Sequence, residues 1–260
     1  MTTTIATYSV GPPQRPTIHH DNGFLDHCTR RSPSATDLAQ YALWAAKLEA
    51  GEAAQGLPLA PELPDALAAY RHFLYGEGAD RQFSYERYVE GDPSGRTTLR
   101  NLIADAQLGA EQLYARRDPS RPVDLQMVST AIPCGAGNSR CPYPQTENWQ
   151  KAIGAHWVWL SATVSVTAEP DDPRFTMLLT LHAEDRYNFN PGQQDIATGI
   201  PDAANGRFEC SGLAEQYTNY AQLTRRIAWR RSRRFDYSAA EAPSGRLRQP
   251  ADNLRLRNRW

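Results

Sequence analysis

Acids, amides, a guanidinium and a phenol crowd into Glu184-Asp185-Arg186-Tyr187-Asn188-Phe189-Asn190-Pro191-Gly192, next to a run of apolar residues. A carboxyl group beside apolar surface is one whose proton affinity a fold can tune for acid–base or metal chemistry. The pattern alone also allows Asp185 to cap a turn and Tyr187 to be a core-edge residue. The loop that follows adds Asp195, Asp202, Asn205, Arg207 and Glu209. These positions do not match a calcium-loop spacing, and the chain has no P-loop, dinucleotide-binding glycine pattern, Gly-x-Ser-x-Gly or metalloprotease helix. His182 lies three positions before Asp185, on the opposite face of an extended segment, and reads as structural.

These groups need a rigid platform, and alternation supplies one. From Trp157 to Ala168, Val158, Leu160, Ala162, Val164 and Val166 share one face. Glu169 to Pro173 has the residues of a turn, and Phe175, Met177, Leu179 and Leu181 then alternate again, predicting a long antiparallel hairpin that runs into Asp185. Upstream, helical spacing predicts a helix opening at Ser32-Pro33 and closing at Gly51, a second over 64–75 and a third over 97–114. Val123 to Ile132 is expected to be a strand, Gly206 to Cys210 the start of another, and Leu223 to Trp229 the last. Helices first and antiparallel strands after them predict an α+β architecture. The chain divides into an extended N-terminal arm (1–31), a helical part (32–116), an antiparallel β part carrying the site (117–232) and a basic, flexible tail (233–260).

At 260 residues and 40% hydrophobic content the chain can bury a core. No apolar stretch is long enough to span a membrane, and the N-terminus lacks a secretory pattern, so action outside the cell is expected to need a dedicated export machine. Net charge is −1, with eleven arginines from Arg225 onward against Asp236, Glu241 and Asp252. That tail is open to two readings, a solvated segment or a surface for nucleic acid, anionic lipid or an acidic partner. His19, His20 and His27 with Asp21 and Asp26 read as a solvated polar stretch. Cys28, Cys134, Cys141 and Cys210 do not fit a zinc spacing. Cys134 and Cys141 flank a Gly- and Pro-rich loop that either closes as a small disulfide ring or leaves two free thiols, and a disulfide would favour action outside the cytoplasm.

Two stretches together resemble colicin M and related bacteriocins that degrade lipid II, the lipid-linked precursor of the bacterial wall. One is Ala68 to Arg81, an aromatic-rich helix followed by Gly76-Glu77-Gly78-Ala79-Asp80-Arg81; the other is Asp185-Arg186-Tyr187-Asn188-Phe189-Asn190. The resemblance covers about Leu63 to Trp229. It implies helices packed on a small, partly open antiparallel β-barrel, and Mg²⁺-dependent hydrolysis that separates polyprenyl lipid from the pyrophosphate-linked disaccharide peptide. Asp185 matches the family's essential aspartate, and the resemblance implies that it ligates the metal, assists attack by water or protonates the leaving group; Tyr187 matches the family's tyrosine and is expected to position substrate or metal, with Arg186, Asn188 and Asn190 as substrate-binding candidates. The family's second aspartate is Asn188 here, and its His-Arg pair is absent, leaving Asp195 and Arg207 as the candidates to replace them. The expected protein is an antibacterial effector, injected by a secretion-system carrier into the target periplasm. There it touches the inner membrane peripherally, is restrained in its producer by an immunity protein and does not act on nucleic acid. A different wall hydrolysis, or non-enzymatic binding of membrane or precursor, is the alternative.

Overall fold

The computed structural model describes residues 4–117, 121–169, 171–234 and 238–241. Of the basic tail, only 233, 234 and a short strand fall within them; the remainder of 233–260 lies outside the described residues.

The predicted hairpin is the spine of the molecule. Strand β5 (His156–Thr167) pairs antiparallel with β6 (Arg174–Tyr187), which pairs in turn along its whole length with β7 (Tyr217–Arg230). The other strands are β1 (Tyr8–Val10), β2 (Arg81–Gln82), β3 (Val123–Ser129), β4 (Ile132–Cys134) and β8 (Ser238–Glu241). They complete an eight-stranded sheet in the order β1-β3-β5-β6-β7-β2, with β4 on β5 and β8 on β7. Its two end strands do not pair with each other, so the sheet is open and not a closed barrel. All pairings are antiparallel except β2 with β7. The α+β class expected from the order of patterns is the class observed.

Phe175, Met177, Leu179, Leu181 and Ala183 of β6 are buried against Val158, Leu160, Val164 and Ile227 and against helix α4 (Pro93–Ala115), whose Leu102, Ile103, Ala106 and Ala110 face the same core. Full burial of each large side chain contributes roughly 1.5–3 kcal/mol, so this layer fixes the register of β6. A smaller core gathers Leu48, Phe73, Leu74, Phe208 and Tyr217 from α1 (Ala35–Ala53), α2 (Pro64–Tyr75), α6 (Ala203–Ser211) and β7. It sits at the end of β6 where the polar run begins.

Several boundaries differ from expectation, each for a local reason. Ser34, not Ser32, caps α1: its hydroxyl accepts from the Asp37 N–H at 3.1 Å while the Asp37 carboxylate accepts from the Ser34 N–H at 2.8 Å. A short helix α3 (Tyr85–Gly91), hidden in the sequence by its length, precedes α4; Asp92 ends it and caps α4 by accepting from the Ser94 N–H at 2.7 Å. Gly206 to Cys210, expected as a strand, is helical in α6, where Phe208 drops into the smaller core and Gly206 lies flat against Phe24. A last helix, α5 (Glu147–Ala152), leads into β5.

The disulfide joins Cys28 to Cys210, across 182 positions of sequence. Cys134 and Cys141 are buried free thiols, so the small ring is not formed. Their sulfurs hydrogen-bond to each other, and burial pushes the Cys134 thiol up.

The described residues of the N-terminal arm, which include a 3-10 turn at Gly23–Asp26, are built into the fold. Its β1 adds to β3, and residues 15–31 pass over the sheet to α6. Arg15 and His20 both meet Glu184, Gln216 donates to the Asn22 carbonyl at 3.2 Å, and Phe24 N–H donates to the Phe189 carbonyl at 3.1 Å. Gly23 has φ of +53°, and a Cβ there would fall 2.2 Å from the Phe189 oxygen; only glycine permits this approach. Arg31 then joins Asp37, and Cys28 locks the strap to α6.

Candidate functional site

Alternation along β6 assigns the polar run to two environments. Asp185 and Tyr187 continue the core-facing set of Leu181 and Ala183, while His182, Glu184 and Arg186 face the other side. The strand continues to Tyr187, so Asp185 stands on regular sheet, opposite Asn219 of β7, and Tyr187 stands opposite Tyr217.

Asp185 is 5% exposed. Asn219 Nδ2 donates to its Oδ2 at 3.2 Å, and Arg81 donates to Asn219 Oδ1, also at 3.2 Å. Burial pushes the Asp185 carboxyl well above the usual carboxylate range; Asn219 and Arg186 act against that shift, and Asp21 and Glu184 add to it. Tyr187 stacks on Tyr217 with ring centroids 5.1 Å apart and packs against Phe73 and Phe189. Burial raises its phenol, and the nearby Asp185, Asp202 and Glu209 add to that.

The next residues turn toward the strap and α6. Asn188 Nδ2 donates to the Asp21 carboxylate at 2.8 Å, and the Asn190 N–H donates to the Asp202 carboxylate at 3.0 Å. The Phe189 N–H donates to Glu209 Oε1 at 3.2 Å, while Glu209 Oε2 is buried with no hydrogen-bond partner. Glu209 is 1% exposed, and burial pushes its carboxyl up to about 8, with Asp202 and Asp21 reinforcing the shift. Asp202 is raised as well, mainly by burial.

Of the residues expected at the site, Asp185, Tyr187, Asn188 and Asn190 cluster at this strand end. Arg186 donates to Gln216 and Thr218 on the opposite face, and its charge reaches both Asp185 and Glu209. Asp195 is held by Thr198 and by Lys151, 3.4 Å away; it acts on the Tyr143 phenol, as Asp185 and Asp202 also do. Arg207 bonds Asp37 at 2.8 Å and so fastens α6 to α1. His182 is structural, stacked on Trp159 at 3.7 Å and bonded to Ser161 at 2.9 Å. Sequence reasoning missed Asp21, Tyr143 and Asn219, brought in by tertiary contacts that leave no local pattern; Arg81 was quoted in the resemblance but given no role at the site.

The donor set at Asp185 is oxygen-only and stands among acids, which is the chemistry a hard divalent cation takes. Among the described residues no three His, Cys, Asp or Glu side chains form a group that could hold a metal ion. One or two carboxylates completed by substrate phosphate oxygens is a common way to hold Mg²⁺, and these residues fit that arrangement. No family model matches the chain, and neither a curated protein nor a solved structure matches it.

Proposed function

We propose that the chain is an antibacterial effector with a colicin M-like fold that hydrolyses lipid II, or a related polyprenyl-pyrophosphate wall precursor, in the periplasm of a target cell. The observation that carries this reading is Asp185: a buried carboxyl on the core face of β6, raised by burial above the usual carboxylate range, with Tyr187 beside it on the same face. Both stand in the stretch whose sequence resembles the active-site strand of that family. Helices laid on one face of an antiparallel sheet are consistent with the fold that the resemblance implies.

Asp185 would hold Mg²⁺ together with pyrophosphate oxygens of the substrate, and the ion would offset the charge that builds on the phosphoryl group. Tyr187, fixed between Tyr217, Phe73 and Phe189, orients the substrate. Asn188 and Asn190 offer amides and Arg186 a cation at the same strand end. Arg207 acts from a distance by holding α6 in place, and Asp195 braces the loop. A lipid-linked substrate implies peripheral contact with the inner membrane, and a toxin of this kind implies an immunity protein and a secretion-system carrier. The Cys28–Cys210 disulfide supports an oxidising site of action.

Incubation of the purified protein with lipid II and Mg²⁺, with products separated by chromatography and identified by mass, tests the reading. Release of undecaprenol by the native protein and its loss in Asp185→Ala is the expected result. Intact lipid II, under conditions where the protein kills from the periplasm, overturns it.

A further inference from the structure

Hydrolysis at a phosphorus atom needs two proton transfers, one from the attacking water and one to the departing oxygen. Two carboxyl groups at this site differ in environment, one exposed on the strap and one buried on α6, which is a basis for dividing that work. Asp21 is exposed on the strap, and its Oδ1 accepts from Asn188 Nδ2 at 2.8 Å and from the Gly23 N–H at 3.0 Å. Glu209 is 1% exposed on α6, with Oε1 bound by the Phe189 N–H at 3.2 Å and Oε2 unpartnered. Asn188 and Phe189 are consecutive, so one short segment beyond β6 holds both acids, through the Asn188 side-chain amide and the Phe189 backbone N–H. A buried carboxyl oxygen without a partner costs about 1–3 kcal/mol, which a fold keeps where a ligand or a transferred proton uses it.

We propose that Asp21 and Glu209 are the proton-transfer pair of this site, Asp21 taking the proton from water and Glu209 giving one to the leaving oxygen. The proposal rests on the hydrolytic reading above. As water loses its proton to Asp21, its oxygen bonds to phosphorus; the bond from phosphorus to the polyprenyl oxygen breaks, and that oxygen takes the Glu209 proton. Exchange with solvent then returns the proton from Asp21 to Glu209, so one water is consumed and the pair is restored. The charged and titratable groups facing Glu209 are Asp21 from the strap, Arg186 and Tyr187 from β6, and Asp202 from the loop before α6. Burial leads these effects in keeping Glu209 protonated at neutral pH.

Asp21→Asn keeps an oxygen to accept from Asn188 and Gly23 and removes only the base; Glu209→Gln keeps the bond from Phe189 and removes only the acid. Each is expected to lower kcat for lipid II by about 100-fold or more with KM within about threefold, since general acid–base groups contribute about 10²–10⁴-fold. The native enzyme should lose kcat above about pH 8, and Glu209→Gln should lack that alkaline limb. Asp21→Ser and Glu209→Ala, checked for a native melting transition, guard against a misfolded isostere. A folded variant of either residue that keeps native kcat overturns the proposal and leaves the hydrolytic reading standing. A native protein that leaves lipid II intact removes both.

Discussion

Glu184 and Asp185 are consecutive on one strand and face opposite sides of the sheet, and their carboxyl groups are driven in opposite directions. Glu184 is 3% exposed; against the penalty of burial, Arg15 at 2.5 Å and His20 at 2.6 Å bring its carboxyl down to about 2. Among the described residues no cation bonds the Asp185 carboxyl, and burial holds it well above the ordinary range. The period of two in a strand is the whole cause: a step of one residue exchanges an ion-paired environment for an apolar one.

Asp185→Asn follows from that contrast. Burial disfavours charge at this position, so an uncharged amide of the same shape should leave the melting temperature within a few degrees while abolishing turnover of lipid II. Thermal unfolding alongside the product assay checks both halves. A variant that turns over normally removes Asp185 from the chemistry.

Glu184→Gln should do the reverse, costing stability rather than a chemical group. Because its folded pKa is depressed, the stabilisation from Glu184 is present above the unfolded value of about 4.3 and is lost as pH falls through about 2. With Arg15 about half exposed and its charge screened by solvent, the variant should be less stable at pH 7 by about 1–3 kcal/mol. Denaturant titrations from pH 7 down to pH 2 should show the difference from native shrinking toward zero. A difference that does not change with pH would mean that the clamp on Glu184 is not ionic.

Glu209 gives the opposite slope. Its folded pKa of about 8 lies above the unfolded value, so the relative stability it confers is complete below about pH 4.3 and is lost as pH rises through about 8. Glu209→Gln cannot ionise and should be more stable than native at pH 9, on the order of 3–5 kcal/mol, with the advantage fading by pH 4. Equal stability of the two proteins at pH 9 would show that Glu209 ionises freely in the fold.

How much of this was legible beforehand depends on how local the signal was. The hairpin read directly, because Val158 to Val166 and Phe175 to Leu181 carry a period of two uninterrupted by Gly or Pro. Asp185 and Tyr187 followed from where the pattern stops and from the family resemblance. Gly206 to Cys210 was misread: five residues are too few to separate a strand from a helix, and the helix is held by Phe208 in a core made from distant segments. Asp21 was set aside as part of a solvated arm, and only the tertiary path of the strap brings it to Asn188. Asn219 sits 34 positions from Asp185, a pairing set by sheet register that no motif states.

The cysteines supply the last prediction. Cys28–Cys210 ties the strap that carries Asp21 to the helix that carries Glu209. Its closure restrains the unfolded chain over 182 positions, and removing it should lower unfolding free energy by about 2–5 kcal/mol. Reduction should also lower kcat, because the strap then loses its covalent hold on α6 and Asp21 leaves Asn188 more often. Alkylation of the unreduced, denatured protein should modify Cys134 and Cys141 alone, and alkylation after reduction should modify all four. A tryptic disulfide linking the Cys134 and Cys141 peptides would instead restore the small ring and leave the strap held by its hydrogen bonds and ion pairs.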